Sequence, residues 1–106
     1  METIVQWNVN GFFARLPYLQ KLIGKYSPII IALQETKLNN QPVCLKNYKI
    51  YRKDRDSNGG GVLLAVHNIL PSISININSN LEIVSCQVYF KKKKIKYLIH
   101  IHSKGY

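Results

Sequence analysis

An unbroken apolar run, Ile29-Ile30-Ile31-Ala32-Leu33, stops abruptly at Gln34-Glu35-Thr36-Lys37. The run is short, aliphatic and without a polar face, so it predicts a central strand covered on both sides. Its end delivers one carboxylate, Glu35, to the rim of a sheet. Upstream, Phe12, Leu16, Leu19, Leu22, Ile23 and Tyr26 recur at spacings of three and four, the period of an amphipathic helix. Pro17 suits a first helical turn, where no N–H is needed, so the regular helix is expected to begin near Leu16. Gly24 weakens its last turn and Ser27-Pro28 stops it. Before the helix, Thr3 to Trp7 reads as a short strand closed by the turn-formers Asn8-Val9-Asn10-Gly11.

Strand, helix and strand in that order form a βαβ unit with parallel strands and a right-handed crossover. Parallel strands end at the same edge. Asn8 and Glu35 are therefore expected to emerge side by side, near enough to share an ion.

Beyond Lys37 no second helical period occurs. Leu38 to Asn47 is a turn-rich loop, and Tyr48 to Tyr51 a short strand. The charged stretch 52–58 leads into Gly59-Gly60-Gly61, and Val62 to Val66 reads as another buried strand. Ile73, Ile75 and Ile77 alternate with polar residues, as in a half-buried or edge strand. Leu81 to Phe90 is the longest strand candidate, with Val84, Cys86, Val88 and Phe90 on one face. Lys91 to Lys94 turns the chain, and Ile95 to His102 returns to complete a hairpin. The predicted class is α/β: one βαβ unit followed by antiparallel strands, in a single domain over residues 1–106, with no internal repeat.

Fifteen Lys and Arg against five Asp and Glu give a net charge of +10. Such a field favours polyanions, either nucleic acid or an anionic membrane surface; a basic domain without a charged partner is the alternative. No apolar run approaches the ~20 residues of a membrane span, and no signal peptide precedes the first strand. An intracellular setting, nucleus or cytoplasm, is expected, with Cys44 and Cys86 as free thiols.

Among the residues that carry chemistry, Glu35 suits a hard ion such as Mg²⁺, which takes oxygen ligands and keeps several waters. Asn8 could add an amide oxygen or orient a phosphate, and it also serves as a turn-former. Asn10 has the same two readings. Gly59-Gly60-Gly61 lacks the helix and the Lys-Ser or Lys-Thr pair of a phosphate-binding loop, so it reads as a turn feeding a buried strand. Arg52 and Arg55 could touch a DNA backbone or simply line a solvated turn. Lys91, Lys92, Lys93 and Lys94 put four charges at a hairpin tip, which suits phosphate contact. His100 and His102 share a strand face but have no acidic or Cys partner nearby, which disfavours a metal pair.

Three segments together resemble the N-terminal half of an endonuclease/exonuclease/phosphatase domain. They are Ile4-Val5-Gln6-Trp7-Asn8-Val9-Asn10-Gly11, Ala32-Leu33-Gln34-Glu35-Thr36-Lys37, and Arg52 and Arg55 followed by Gly59-Gly60-Gly61-Val62. The form is similar to the apurinic-endonuclease-like enzyme of non-LTR retrotransposons, which nicks DNA. The resemblance implies a four-layer α/β/β/α sandwich, present here in part. It also implies Mg²⁺- or Mn²⁺-dependent phosphodiester hydrolysis, with Asn8 as the active-site Asn and Glu35 as the metal-binding Glu. The residues expected to face DNA are Asn10, Lys37, Arg52, Arg55 and Lys91 to Lys94, the arginines and the lysine run on their charge.

The departures point the other way for activity. Asn10 stands where apurinic enzymes carry Asp, as retrotransposon members allow. His102 stands where the family has a Tyr, without the Pro that follows it. The Asp-x-Asn, the later Asp and the terminal Asp-His pair have no counterpart in these 106 residues. The resemblance therefore implies a truncated endonuclease that is inactive alone. The alternatives are a non-catalytic basic module that binds DNA, a relic that self-associates through an exposed sheet, and a fragment of a related phosphatase.

Overall fold

The structure, a computed structural model, describes residues 3–55, 59–76, 82–90 and 95–102, the last of these by its backbone. Among the described residues seven strands and one helix follow in the order β1 (Ile4–Asn8), α1 (Phe12–Tyr26), β2 (Ile30–Gln34), β3 (Tyr48–Lys53), β4 (Val62–His67), β5 (Ser72–Ile75), β6 (Ile83–Phe90) and β7 (Ile95–His102). One sheet has the order β1-β2-β4-β3 and the other β5-β6-β7. Strands β1 and β2 pair in parallel, as the βαβ reading requires. All other pairings are antiparallel, including the β6–β7 hairpin.

Strand β2 is central, and its alternation divides the core. Ile31 and Leu33 join Leu63 and Ala65 of β4 in a cluster with Phe12 and Leu19 of α1. Ile30 turns the other way, with Val62, Leu64 and Val66 of β4, into a cluster with Val84, Cys86 and Val88 of β6. Successive residues of a strand face opposite sides, so this unbroken apolar run is what a sheet packed on both faces needs. Strand β6 lies against β3 and β4, and β7 against β2 and β4. The described residues thus build three layers, helix, sheet and sheet, of the α/β sandwich.

Helix α1 begins earlier than its proline suggests. It is regular from Phe12, and Pro17 lies inside it rather than in its first turn. The cause is tertiary: Gly11 N–H donates to the Glu35 carbonyl and Phe12 N–H to the Thr36 carbonyl, both at 2.8 Å. Two orphan donors of the helix start are satisfied from another loop, and Phe12 is buried. That anchoring outweighs the backbone bond lost at Pro17. The buried stripe runs Phe12, Leu16, Leu19 and Ile23. Tyr26, expected on the same face, is 53% exposed, with the Lys25 ammonium over its ring. Ser27 closes the helix in a left-handed conformation, its N–H on the Ile23 carbonyl.

The isoleucine alternation after Pro71 also takes a particular direction. Ser72 and Ser74 of β5 stand opposite the buried Val88 and Cys86 of β6, and Ser72 Oγ bonds Tyr51 Oη at 2.7 Å. Ile73, opposite Gln87, therefore falls on the outer face and is 60% exposed. Ile77 lies outside the described residues.

Neither cysteine forms a disulfide: Cys44 is exposed and Cys86 buried. Burial pushes the Cys86 thiol and the Tyr48 hydroxyl above their ordinary values of 9.0 and 10.0. Tyr48 Oη donates to the Pro28 carbonyl, tying β3 to the end of α1. The fold holds both groups neutral, so the unfolded chain loses these protons first as pH rises. Their contribution is intact below pH 9.0 and drains as pH passes through and above 9.0 and 10.0. Tyr48→Phe should accordingly lose less stability than the wild type between about pH 8 and pH 11, read from urea midpoints.

Candidate active site

The parallel register sets Asn8 opposite Gln34 at the end of β1 and β2. Val9 N–H donates to the Gln34 carbonyl at 3.0 Å, continuing the ladder one step. Glu35-Thr36-Lys37 then lies between two loops. On one side its carbonyls take Gly11 and Phe12; on the other, Thr36 N–H reaches the Gly61 carbonyl at 3.2 Å and Lys37 N–H the Gly60 carbonyl at 2.8 Å. The backbone around Glu35 is therefore fixed from both flanks.

That fixation matters because the conformation is costly. Glu35 has φ 55°, Lys37 φ 52° and Asn10 φ 47°, all in the left-handed region. Non-glycine residues held there cost of order 1 kcal/mol or more each, and such strain gathers at functional sites. The half-buried Glu35 side chain is also held, its Oε2 accepting Gly60 N–H at 3.1 Å. Nearby, Lys37 Nζ donates to Asn10 Oδ1, joining the two exposed side chains across the loops.

The glycine turn itself is unusual. Gly59, Gly60 and Gly61 all have positive φ, at 86°, 64° and 91°. A Cβ on Gly60 would run into the Arg55 guanidinium, and one on Gly61 into Thr36 Oγ1. Two consecutive amides of this turn face two carboxylates: Gly60 N–H takes Glu35, and Gly61 N–H takes Glu82 Oε1. The turn's amides thus hold two of the protein's own acids.

Glu82 went unrecognised in the sequence. It is only 5% exposed, immediately before β6, and its Oε2 accepts Arg55 Nε in an ion pair. A signal was present: in a chain with five acids against fifteen bases, a lone Glu opening an apolar strand is costly to bury unless paired. Arg52 is engaged as well, at 2.7 Å from Asp54 Oδ2 and 2.6 Å from the Gln41 carbonyl. The structure thus brings Asn8, Asn10, Glu35 and Lys37 to one edge and gives both arginines carboxylate partners. Lys91 to Lys94 and the side chain of His102 lie outside the described residues.

The donors suit a hard cation in kind but not in number. Asn8 offers an amide oxygen, and Glu35 a carboxylate with one oxygen already on Gly60 N–H. Among the described residues no group of three or more His, Cys, Asp or Glu side chains could hold a metal ion. One carboxylate and one amide make a weak site by themselves for such an ion, which keeps several waters and takes one or two carboxylates together with substrate phosphates.

The profile of the endonuclease/exonuclease/phosphatase family matches residues 5–99. The chain belongs to this family. Solved structures share its fold at low identity. A 3′ phosphatase, NExo from Neisseria bound to a product DNA hairpin, superposes with TM-score 0.67 at 20% identity, covering 92% of this chain and 40% of its own. TDP2 from D. rerio, complexed with a single-strand DNA product, gives TM-score 0.59 at 20% identity, with 93% and 45% covered. The human Nocturnin catalytic domain with bound sulfate gives 0.61 at 15%, with 91% and 47% covered. The chain spans less than half the length of these three structures. No curated protein matches it. No helix among the described residues is long and apolar enough to cross a membrane.

Proposed function

We propose that the chain supplies the Asn8–Glu35 limb of a divalent-metal-dependent phosphodiesterase acting on DNA, and that it is not catalytic alone. The observation that carries this reading is the treatment of Glu35. A single carboxylate stands at the end of paired parallel strands, in a strained conformation, with its backbone fixed from two loops and its side chain on a glycine amide. In the assignment we favour, Glu35 is the ligand for Mg²⁺ or Mn²⁺ and Asn8 assists it or orients a phosphate. Asn10 and Lys37 meet the DNA backbone, and His102 holds the place of the family's Tyr.

DNA as the partner is supported by the +10 charge and by the DNA bound in the NExo and TDP2 structures. Lys91 to Lys94 add four positive charges in sequence, while Arg52 and Arg55 contribute through carboxylate-paired guanidiniums. DNA nicking of the retrotransposon kind is the activity we assign to the complete site, with its work in the nucleus or cytoplasm. The +10 charge also favours a second reading, a basic module that holds DNA without cutting it. A relic associating through its sheet edges, or part of a phosphatase, ranks below these.

A plasmid-nicking assay with Mg²⁺, comparing the wild type with Glu35→Ala, tests the activity claim. Both proteins should give the same background. Loss of catalytic partners typically costs factors of about 10² to 10⁴ each, so nicking by the wild type that vanishes in the variant would refute inactivity.

A further inference from the structure

We propose that Glu82 is a positioning residue for Glu35, acting through the Gly60-Gly61 turn and the Arg55 guanidinium. The proposal deepens the reading of Glu35 as the functional carboxylate. The two acids occupy adjacent amides of one turn: Gly60 N–H on Glu35 Oε2 and Gly61 N–H on Glu82 Oε1. Glu82 is nearly inaccessible and takes Arg55 on its other oxygen. Arg55 in turn lies against the position where a Gly60 Cβ would be. The guanidinium therefore packs on the residue whose amide holds Glu35.

The consequence is geometric. A turn of three positive-φ glycines has little stiffness of its own, because glycine crosses freely between backbone regions. Something must hold the Gly60 amide aimed at Glu35. The Thr36 and Lys37 amides hold the turn's carbonyls, and the Glu82–Arg55 pair holds its opposite side. A charged acceptor on Gly61 is roughly twice as strong as a neutral one. A glutamine in place of Glu82 would still fill the space but would lose the charge and, with one acceptor oxygen instead of two, one of its two partners. Glu82 thus acts on the site without touching metal or substrate.

The test is an amide-resolved NMR comparison of the 106-residue protein with Glu35→Gln, Glu82→Gln and Arg55→Gln. A carboxylate acceptor draws an amide proton downfield, so Glu35→Gln moves Gly60 upfield directly. Glu82→Gln should move Gly60 by at least half that displacement, although its own acceptor is unchanged, and Arg55→Gln should move it in the same direction. The amides of β2 and β4 should stay in place in all three, which a general loosening would not allow. Gly60 moving by less than half in Glu82→Gln, while Gly61 shifts, overturns the proposal. Arg55→Gln keeps a side-chain N–H donor for Glu82 at a partly exposed position, so it is the folded comparison if Glu82→Gln does not fold. No metal enters the readout, so failure of Glu35 to bind an ion would count against the proposed function and leave this result standing.

Discussion

Truncating Leu64 to alanine is expected to cost about 2–5 kcal/mol of folding stability, and truncating Leu63 a similar amount. The two residues are neighbours in β4 and both are fully buried, but they face opposite ways. Leu63 packs with Phe12 and Leu19 of α1, and Leu64 with Val84, Cys86 and Val88 of β6. A domain of this size has a total stability of order 5–15 kcal/mol, so either loss is a large fraction of it. Urea unfolding of the pair measures whether the second sheet packs in solution. Without that packing Leu64 would be a surface residue, and its truncation would change stability by no more than about 0.5 kcal/mol.

DNA affinity is expected to fall steeply with salt. With about four lysines each neutralising one phosphate, the slope of log affinity against log salt is about −3.6, so a fourfold rise in KCl weakens binding about 150-fold. Absolute affinity should lie near the non-specific range, ~10⁻⁴ to 10⁻⁶ M. Lys37→Ala should reduce the slope by about one unit without changing sequence preference. Fluorescence anisotropy of a labelled duplex over a KCl series reads both effects. Binding indifferent to salt would contradict the electrostatic account.

The elements most legible in the sequence were those fixed by local pattern together with burial. The apolar run of β2 announced a strand covered on both faces, and β1, α1 and β2 announced a parallel pair ending at Asn8 and Glu35. What pattern could not supply was information carried by distant partners. Nothing near Pro17 reveals that Thr36 and Glu35 carbonyls start the helix at Phe12. Alternating isoleucines mark two faces of β5, but only pairing with β6 decides that Ser72 faces inward and Ile73 outward. The Glu82–Arg55 pair joins residues 27 positions apart. Before the chain folds, no periodicity links them.

The central claim is that Glu35 is the metal-binding carboxylate of a site these residues build only in part. Titration of the ¹⁵N-labelled protein with Mn²⁺ tests it most directly, because a paramagnetic ion broadens the amides closest to it. The account predicts broadening at millimolar Mn²⁺ centred on the amides around Glu35 and Asn8, weak because the donor set is incomplete, and abolished in Glu35→Ala. Broadening that persists in Glu35→Ala, or that centres on Asp54 instead, would contradict it.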